Sequence, residues 1–300
     1  KIIFIMNKLS PAGQPNKDNH QPYQYEYEHP FDNDRLPNFI IVGVMKGGTS
    51  AAAFNLNLHP DVFCVTETSK FETMNFHKHN LENSIGGFNA WHKELDFFNY
   101  KENFDYGIDV YKTFFQSNCT AVGESSPNYF HFNNKQSRGC LPRMMKTIPN
   151  AKIIILLRDP ITRAFSHWNM IQKTKPEWGK THIGKSFYEC TVGNPKHNPF
   201  LHRSKYFSNL IQFRGVFKHV YVGLQESLML DPETEYNKIF KFLGVRSGNL
   251  NLPYQNVHCQ EYDSSLDLKS INYLKKYFKY DVDNVKSLLP NLNYSLWNEY

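Results

Sequence analysis

Two apolar runs of strand length are Phe39-Ile40-Ile41-Val42 and Ile153 to Leu157, the second within a strand predicted over Ala151 to Leu157. Continuous apolar runs of strand length suit strands buried on both faces of a parallel sheet. The first leads through a glycine-rich turn into a helix-like stretch, Ser50 to Leu58. The second ends at Arg158-Asp159-Pro160, and Pro160 suits the first turn of a helix over Ile161 to Ile171. Further along, the pattern predicts helices at Leu141 to Ile148 and Ser204 to Gly215, a strand at His219 to Leu224, and a helix from Pro232 to Leu243 stopped by Gly244. Leu268 to Phe278 and Val282 to Leu289 read as two last helical segments. Residues 59–92 are polar, with a turn at Gly86-Gly87, and read as an excursion over the active face. Shorter elements fall at Tyr106 to Phe115 and Thr120 to Phe130, and 172–200 reads as a loop. Alternation of strands with helices predicts an α/β fold of three layers, a mainly parallel central sheet flanked by helices. Pro11, Pro15, Pro22, Pro30 and Pro37 punctuate the start, so residues 1–36 are expected to form an irregular arm and 37–300 a single domain.

Composition narrows the function classes only a little. The 34 Lys and Arg against 28 Asp and Glu leave a net charge of +6, which favours anionic partners without choosing among them. No basic and aromatic cluster marks a nucleic-acid surface, so no nucleic-acid partner is expected. The five cysteines, Cys64, Cys119, Cys140, Cys190 and Cys259, have neither C-x-x-C nor Cys/His spacing, and no metal site is expected. No apolar run approaches a membrane span. The first residue is not Met, which leaves room for an upstream signal or a membrane anchor outside this chain. Two N-x-S/T sequons, at Asn118 and Asn293, suit a glycoprotein of the secretory pathway.

The most informative stretch is Gly43-Val44-Met45-Lys46-Gly47-Gly48-Thr49-Ser50, between a strand and a helix. Its glycines let successive backbone N–H groups turn towards an anion, and the following helix presents a positive N-terminal end. Lys46 can neutralise a phosphate; Gly47, Gly48, Thr49 and Ser50 can supply donors. A Walker A loop would place its Lys directly before Ser or Thr. Here Lys46 precedes the glycine pair, which counts against an ATP-dependent kinase of P-loop type, the alternative enzyme reading.

This loop resembles the 5′-phosphosulfate loop of the sulfotransferase family, particularly the branch that sulfates glycosaminoglycans in the Golgi. A second stretch, Arg158-Asp159-Pro160-Ile161-Thr162-Arg163-Ala164-Phe165-Ser166, resembles the same family's 3′-phosphate motif R-D-P-x-x-R-A-x-S. A guanidinium at a strand end can grip a phosphate by charge-assisted bonds, and a hydroxyl from the next helix can reach it too. The resemblance therefore gives Arg158 and Ser166 the 3′-phosphate of PAPS (3′-phosphoadenosine 5′-phosphosulfate), and PAP is the implied product. Asp159 reads as a helix cap, and Arg163 as a support for the helix or a partner for a carboxylate.

On the acceptor side, Lys93-Glu94-Leu95-Asp96-Phe97-Phe98 resembles the K-E-x-x-F-F motif of heparan-type members, whose Glu is the catalytic base. Glu94 is the candidate base, with Glu67 and Glu72 as rivals, and Lys46 the catalytic cation. Lys93, Glu124 and Tyr129 are candidate acceptor contacts; the last two belong to Val122-Gly123-Glu124-Ser125-Ser126-Pro127-Asn128-Tyr129-Phe130, similar to the family's G-E-K-T/S-P-x-Y-F element with Ser125 in place of Lys. Tyr206 is a donor-site candidate from a stretch similar to the family's G-x-Y-x-x-x-L helix. The implied activity is transfer of a sulfuryl group from PAPS to a hydroxyl or amine of a glycan or polysaccharide, by inline displacement, in the Golgi lumen or secretory pathway and without a required metal. A glycan-binding protein on a non-catalytic sulfotransferase scaffold is the reading from another class, raised by Ser125 and by a tail without the family's basic K-G-R loop.

Overall fold

The computed structural model describes residues 35–66, 94–132, 137–192, 198–255 and 265–300. The segment of the predicted arm before residue 35, the Gly86-Gly87 turn, Glu67, Glu72 and Lys93 lie outside the described residues. Asn33–Tyr300 is one compact unit.

Its centre is a five-stranded sheet in the order β2-β3-β1-β4-β5, built from β1 (Phe39–Gly43), β2 (Val62–Cys64), β3 (Ala121–Ser125), β4 (Lys152–Leu157) and β5 (Val220–Leu224). Every neighbouring pair is parallel. All five residues of β1 are buried, as are Ile153 to Leu157 of β4, which explains why these strands read as unbroken apolar runs. Successive side chains of a strand point to opposite faces. Ile40, Val42, Ile153, Ile155 and Leu157 enter one core, while Phe39, Ile41, Ile154 and Leu156 enter the other.

The longer helices are α1 (Thr49–Leu56), α2 (Cys140–Thr147), α3 (Pro160–Thr174), α4 (Phe207–Val216), α5 (Pro232–Leu243) and α6 (Leu268–Leu288). Ala52, Ala53 and Leu56 of α1 join Tyr236, Ile239 and Phe240 of α5 in the second core. Met144 of α2, Ile161 and Ala164 of α3, Phe213 of α4 and Phe278 of α6 join the first. The expected α/β fold, a parallel sheet with helices on both faces, is the fold observed. No helix among the described residues is long and apolar enough to cross a membrane.

Three elements differ from expectation. β2 falls within what reads as a polar excursion, because only Val62-Phe63-Cys64 pair with β3 and three residues carry too little periodicity to read. The presumed loop 172–200 contains a short helix, Phe187–Val192. The two last segments are one helix of 21 residues, α6, whose buried Leu274, Phe278, Val282 and Val285 keep a single helical stripe across the polar residues at 279–281.

The order of the strands positions the site. From β1 the chain moves outward to β2, returns to β3, then crosses to β4 on the other side. The crevice above the C-terminal ends of β1 and β4 is therefore the switch point of the sheet, where open α/β sheets bind ligands.

Candidate active site

The loop after β1 is held by backbone bonds. Val44 N–H donates to the Leu156 carbonyl at 2.9 Å, and Gly47 N–H returns to the Val44 carbonyl at 2.8 Å. A Cβ on Gly47 would lie 2.5 Å from the Leu156 oxygen and 2.9 Å from the Val44 oxygen, so only glycine lets the loop lie this close to β4. Gly48 has φ of 81° and precedes α1 without a side-chain cap. The amides of the first helical turn have no acceptor within the helix, and with the helix dipole they make a site for an anion.

Arg158 enters the same crevice from the end of β4. Its Nε donates to Thr162 Oγ1 at 3.2 Å and its Nη1 to the Lys46 carbonyl at 3.3 Å. Burial, followed by the charges of Arg158 and Arg163, holds the Lys46 ammonium below its ordinary range. A bound anion would relieve that repulsion. Ser166, two turns into α3, lines the crevice with them. Asp159 is the cap expected: its Oδ1 accepts from Thr162 N–H at 2.8 Å.

Arg163 is buried in the interior. It donates to Ser204 Oγ at 2.6 Å and to the carbonyls of Met45 and Phe200, fastening α3 to the phosphate loop. Burial pulls its guanidinium down to about 9, still protonated at neutral pH. Tyr206 is fully buried, and its hydroxyl donates to the Arg158 carbonyl at 2.8 Å.

One cavity of about 520 Å³ gathers Lys46, Gly48, Thr49, Ser50, Arg158, Ser166 and Glu94. These residues fit a polyanion: two cations and the uncapped amides of a helix line the cavity, and a carboxylate lines it with them. The arrangement can hold phosphate groups, stabilise a leaving oxyanion, and take a proton from a nucleophile. Among the described residues no group of three or more His, Cys, Asp or Glu could hold a metal ion.

Glu124 and Tyr129 are not placed in this cavity. Glu124 is wholly buried; its Oε1 accepts from Tyr111 at 2.6 Å and Tyr129 at 2.9 Å, and its Oε2 from Ser126 at 2.6 Å. Burial raises its carboxyl above the ordinary range while these hydroxyls oppose the shift. Both residues are buried in the core, which the short spacing to Pro127 and Phe130 does not reveal. Ser125 is likewise buried.

Several cavity residues escaped sequence reading. Met170 stands four residues after Ser166 on α3 and lines the cavity with it, a placement that helical spacing could have supplied. Asn55, Tyr236 and Gln255 had no such signal. Asn55 Nδ2 donates to Tyr236 at 2.9 Å and to the Gln255 carbonyl at 2.9 Å, and Gln255 N–H returns to Asn55 Oδ1 at 2.8 Å.

The model of the sulfotransferase family matches residues 37–247. The bifunctional heparan sulfate N-deacetylase/N-sulfotransferase 3 of Homo sapiens is 29% identical over 239 residues, covering 74% of this chain and 23% of that protein. The heparan sulfate glucosamine 3-O-sulfotransferase 5 of Homo sapiens is 30% identical over 227 residues, 70% of this chain and 54% of that protein. The chain thus spans about a quarter of the first relative and half of the second. A sulfotransferase from Alicyclobacillus acidocaldarius has the same fold, with a TM-score of 0.55, 23% identity, and coverage of 85% of this chain and 96% of that one.

Proposed function

This chain belongs to the sulfotransferase family, and from that premise we propose that it transfers a sulfuryl group from PAPS to a hydroxyl or amine of a glycan. The carrying observation is the meeting of Lys46, Thr49, Ser50, Arg158, Ser166 and Glu94 on one cavity at the sheet's switch point. PAPS supplies an activated sulfuryl group on a phosphate leaving group. Lys46 and the first amides of α1 bind the 5′ end and stabilise the oxygen that leaves; Arg158 and Ser166 hold the 3′-phosphate. Glu94 takes the acceptor's proton as the nucleophile attacks opposite the leaving group, giving the sulfated acceptor and PAP. Electrostatic stabilisation by fixed cations and amides suffices for such a displacement.

For the acceptor, a heparan-type glycosaminoglycan is the reading supported by the names of the relatives and by Lys93-Glu94-Leu95-Asp96-Phe97-Phe98. A Golgi or secretory location follows from that acceptor. Incubation with radiolabelled PAPS and a panel of desulfated polysaccharides tests the reaction, with Glu94→Gln alongside. Label on one polymer, lost in the variant by roughly a hundredfold or more as for removal of a general base, is the expected result. PAPS binding without transfer to any polymer, small alcohol or protein acceptor would overturn the catalytic reading and favour a binding protein.

A further inference from the structure

The donor loop and the turn bearing Glu94 come from different parts of the chain, yet they are linked by side chains that neither phosphate motif contains. Arg203, just after the short helix Pro199–His202, sends Nη1 to Asn128 Oδ1 at 2.8 Å, with the same nitrogen 3.6 Å from Met45 Sδ. Asn128 in turn donates through Nδ2 to the Asp96 carboxylate at 3.3 Å. That carboxylate also accepts from Asn99 Nδ2 at 2.9 Å, and Asp96 N–H donates to Ser126 Oγ at 3.0 Å. Met45 adjoins Lys46, and Asp96 stands two residues after Glu94. We propose that Arg203, through Asn128 and Asp96, is a positioning residue that couples occupancy of the donor loop to the placement of the catalytic base.

Charge and backbone shape agree with this role. Burial draws the Arg203 guanidinium down, while the charges of Asp96 and Glu94 draw it up, so the carboxylates of the base turn lie near the arginine. Asp96 has φ of 48°, a left-handed conformation that is uncommon outside glycine and tolerated best by Asn and Asp. The turn is held in this shape by its bonds on both sides, the backbone to Ser126 and the carboxylate to Asn99 and Asn128. A displacement near 1 Å at a reacting group costs on the order of a hundredfold in rate, so a bridge between the two loops is of direct consequence to turnover.

The role rests on the proposed base, and the test separates the two. Arg203→Gln and Asp96→Asn are each expected to lower kcat by roughly tenfold to a hundredfold with PAP affinity unchanged, Arg203→Lys to recover part of the loss, and the double variant to be no worse than the worse single one, because both cut one chain of contacts. Asn suits the left-handed position but sets an amide donor against Asn99 or Asn128, so a modest fall in melting point is expected of Asp96→Asn, and positioning is told from support by kcat, by the Arg203→Lys recovery and by amide exchange. Amide exchange supplies a readout that needs no acceptor: PAP should slow exchange at 95–99 in the wild type and not in Arg203→Gln. Undiminished kcat in Arg203→Gln, multiplying losses in the double variant, or equal PAP protection in both proteins would overturn the bridge. Glu94→Gln that stays active while Arg203→Gln is impaired would overturn the base and leave the bridge standing.

Discussion

The Arg158 guanidinium donates to the Lys46 carbonyl at 3.3 Å, so the two cations of the cavity are joined through backbone rather than kept apart by a carboxylate. β1 and β4 run side by side and in parallel, which brings their C-terminal loops together. The sheet thus holds two like charges close to each other, at a cost in the free protein that an anion would offset.

Lys46→Met exposes that cost. The folded-state value of Lys46 lies below the ordinary 10.5, so the charged lysine weakens the fold at neutral pH and the penalty fades as pH rises through the shifted value. The variant is expected to melt higher than the wild type at pH 7, with the gain shrinking in alkali. It should also bind PAP roughly tenfold to a hundredfold more weakly, as expected for a charge-assisted contact of about 1.5–3 kcal/mol. Calorimetry with and without PAP checks both; a lower melting point in the free variant contradicts the account.

Gly47→Ala tests the closeness of the loop to β4. The added carbon would meet the Leu156 and Val44 oxygens at 2.5 and 2.9 Å, backbone atoms that cannot swing aside. Destabilisation of about 1–3 kcal/mol, typical of overpacking, should accompany loss of PAP binding. Retained affinity for PAP would mean that the loop need not lie against β4 to bind phosphate.

Tyr206→Phe removes one hydroxyl and nothing else. Its bond to the Arg158 carbonyl is expected to contribute about 1 kcal/mol. The variant should bind PAP a few-fold more weakly with little change in kcat at saturating donor. A large fall in kcat would place the tyrosine in the chemistry instead.

Glu124→Gln separates support from substrate contact. Three hydroxyl donors converge on the carboxylate, and an amide turns one acceptor into a donor facing one of them, at about 1–3 kcal/mol. Because the Glu124 carboxyl is raised by burial, the native protein gains stability from this group as pH falls through the raised value, and glutamine cannot. The melting deficit should therefore widen in acid, while PAP affinity at pH 7 holds. A variant with native stability and a raised KM for the acceptor would restore Glu124 to the substrate site.

The amino-acid sequence by itself determined the parts that depend on neighbours along the chain. Apolar runs long enough to be buried on both faces announced β1 and β4, and the residues after each, Gly43 to Ser50 and Arg158 to Ser166, carried phosphate chemistry in a local order. Because each motif sits at the end of a central strand, naming the strands already placed both at one edge of the sheet. Tertiary structure alone decided which carboxylate faces the cavity. Glu94 and Glu124 both stand in family-like motifs, but β3 turns Glu124 inward against Tyr111, Tyr129 and Ser126, while Glu94 reaches the cavity wall. Tyr206 and Arg203 gained their partners in the same way, at contacts 48 and 75 residues away in sequence. Such pairings follow from the order of strands and the packing of helices upon them, and no local pattern of residues records it.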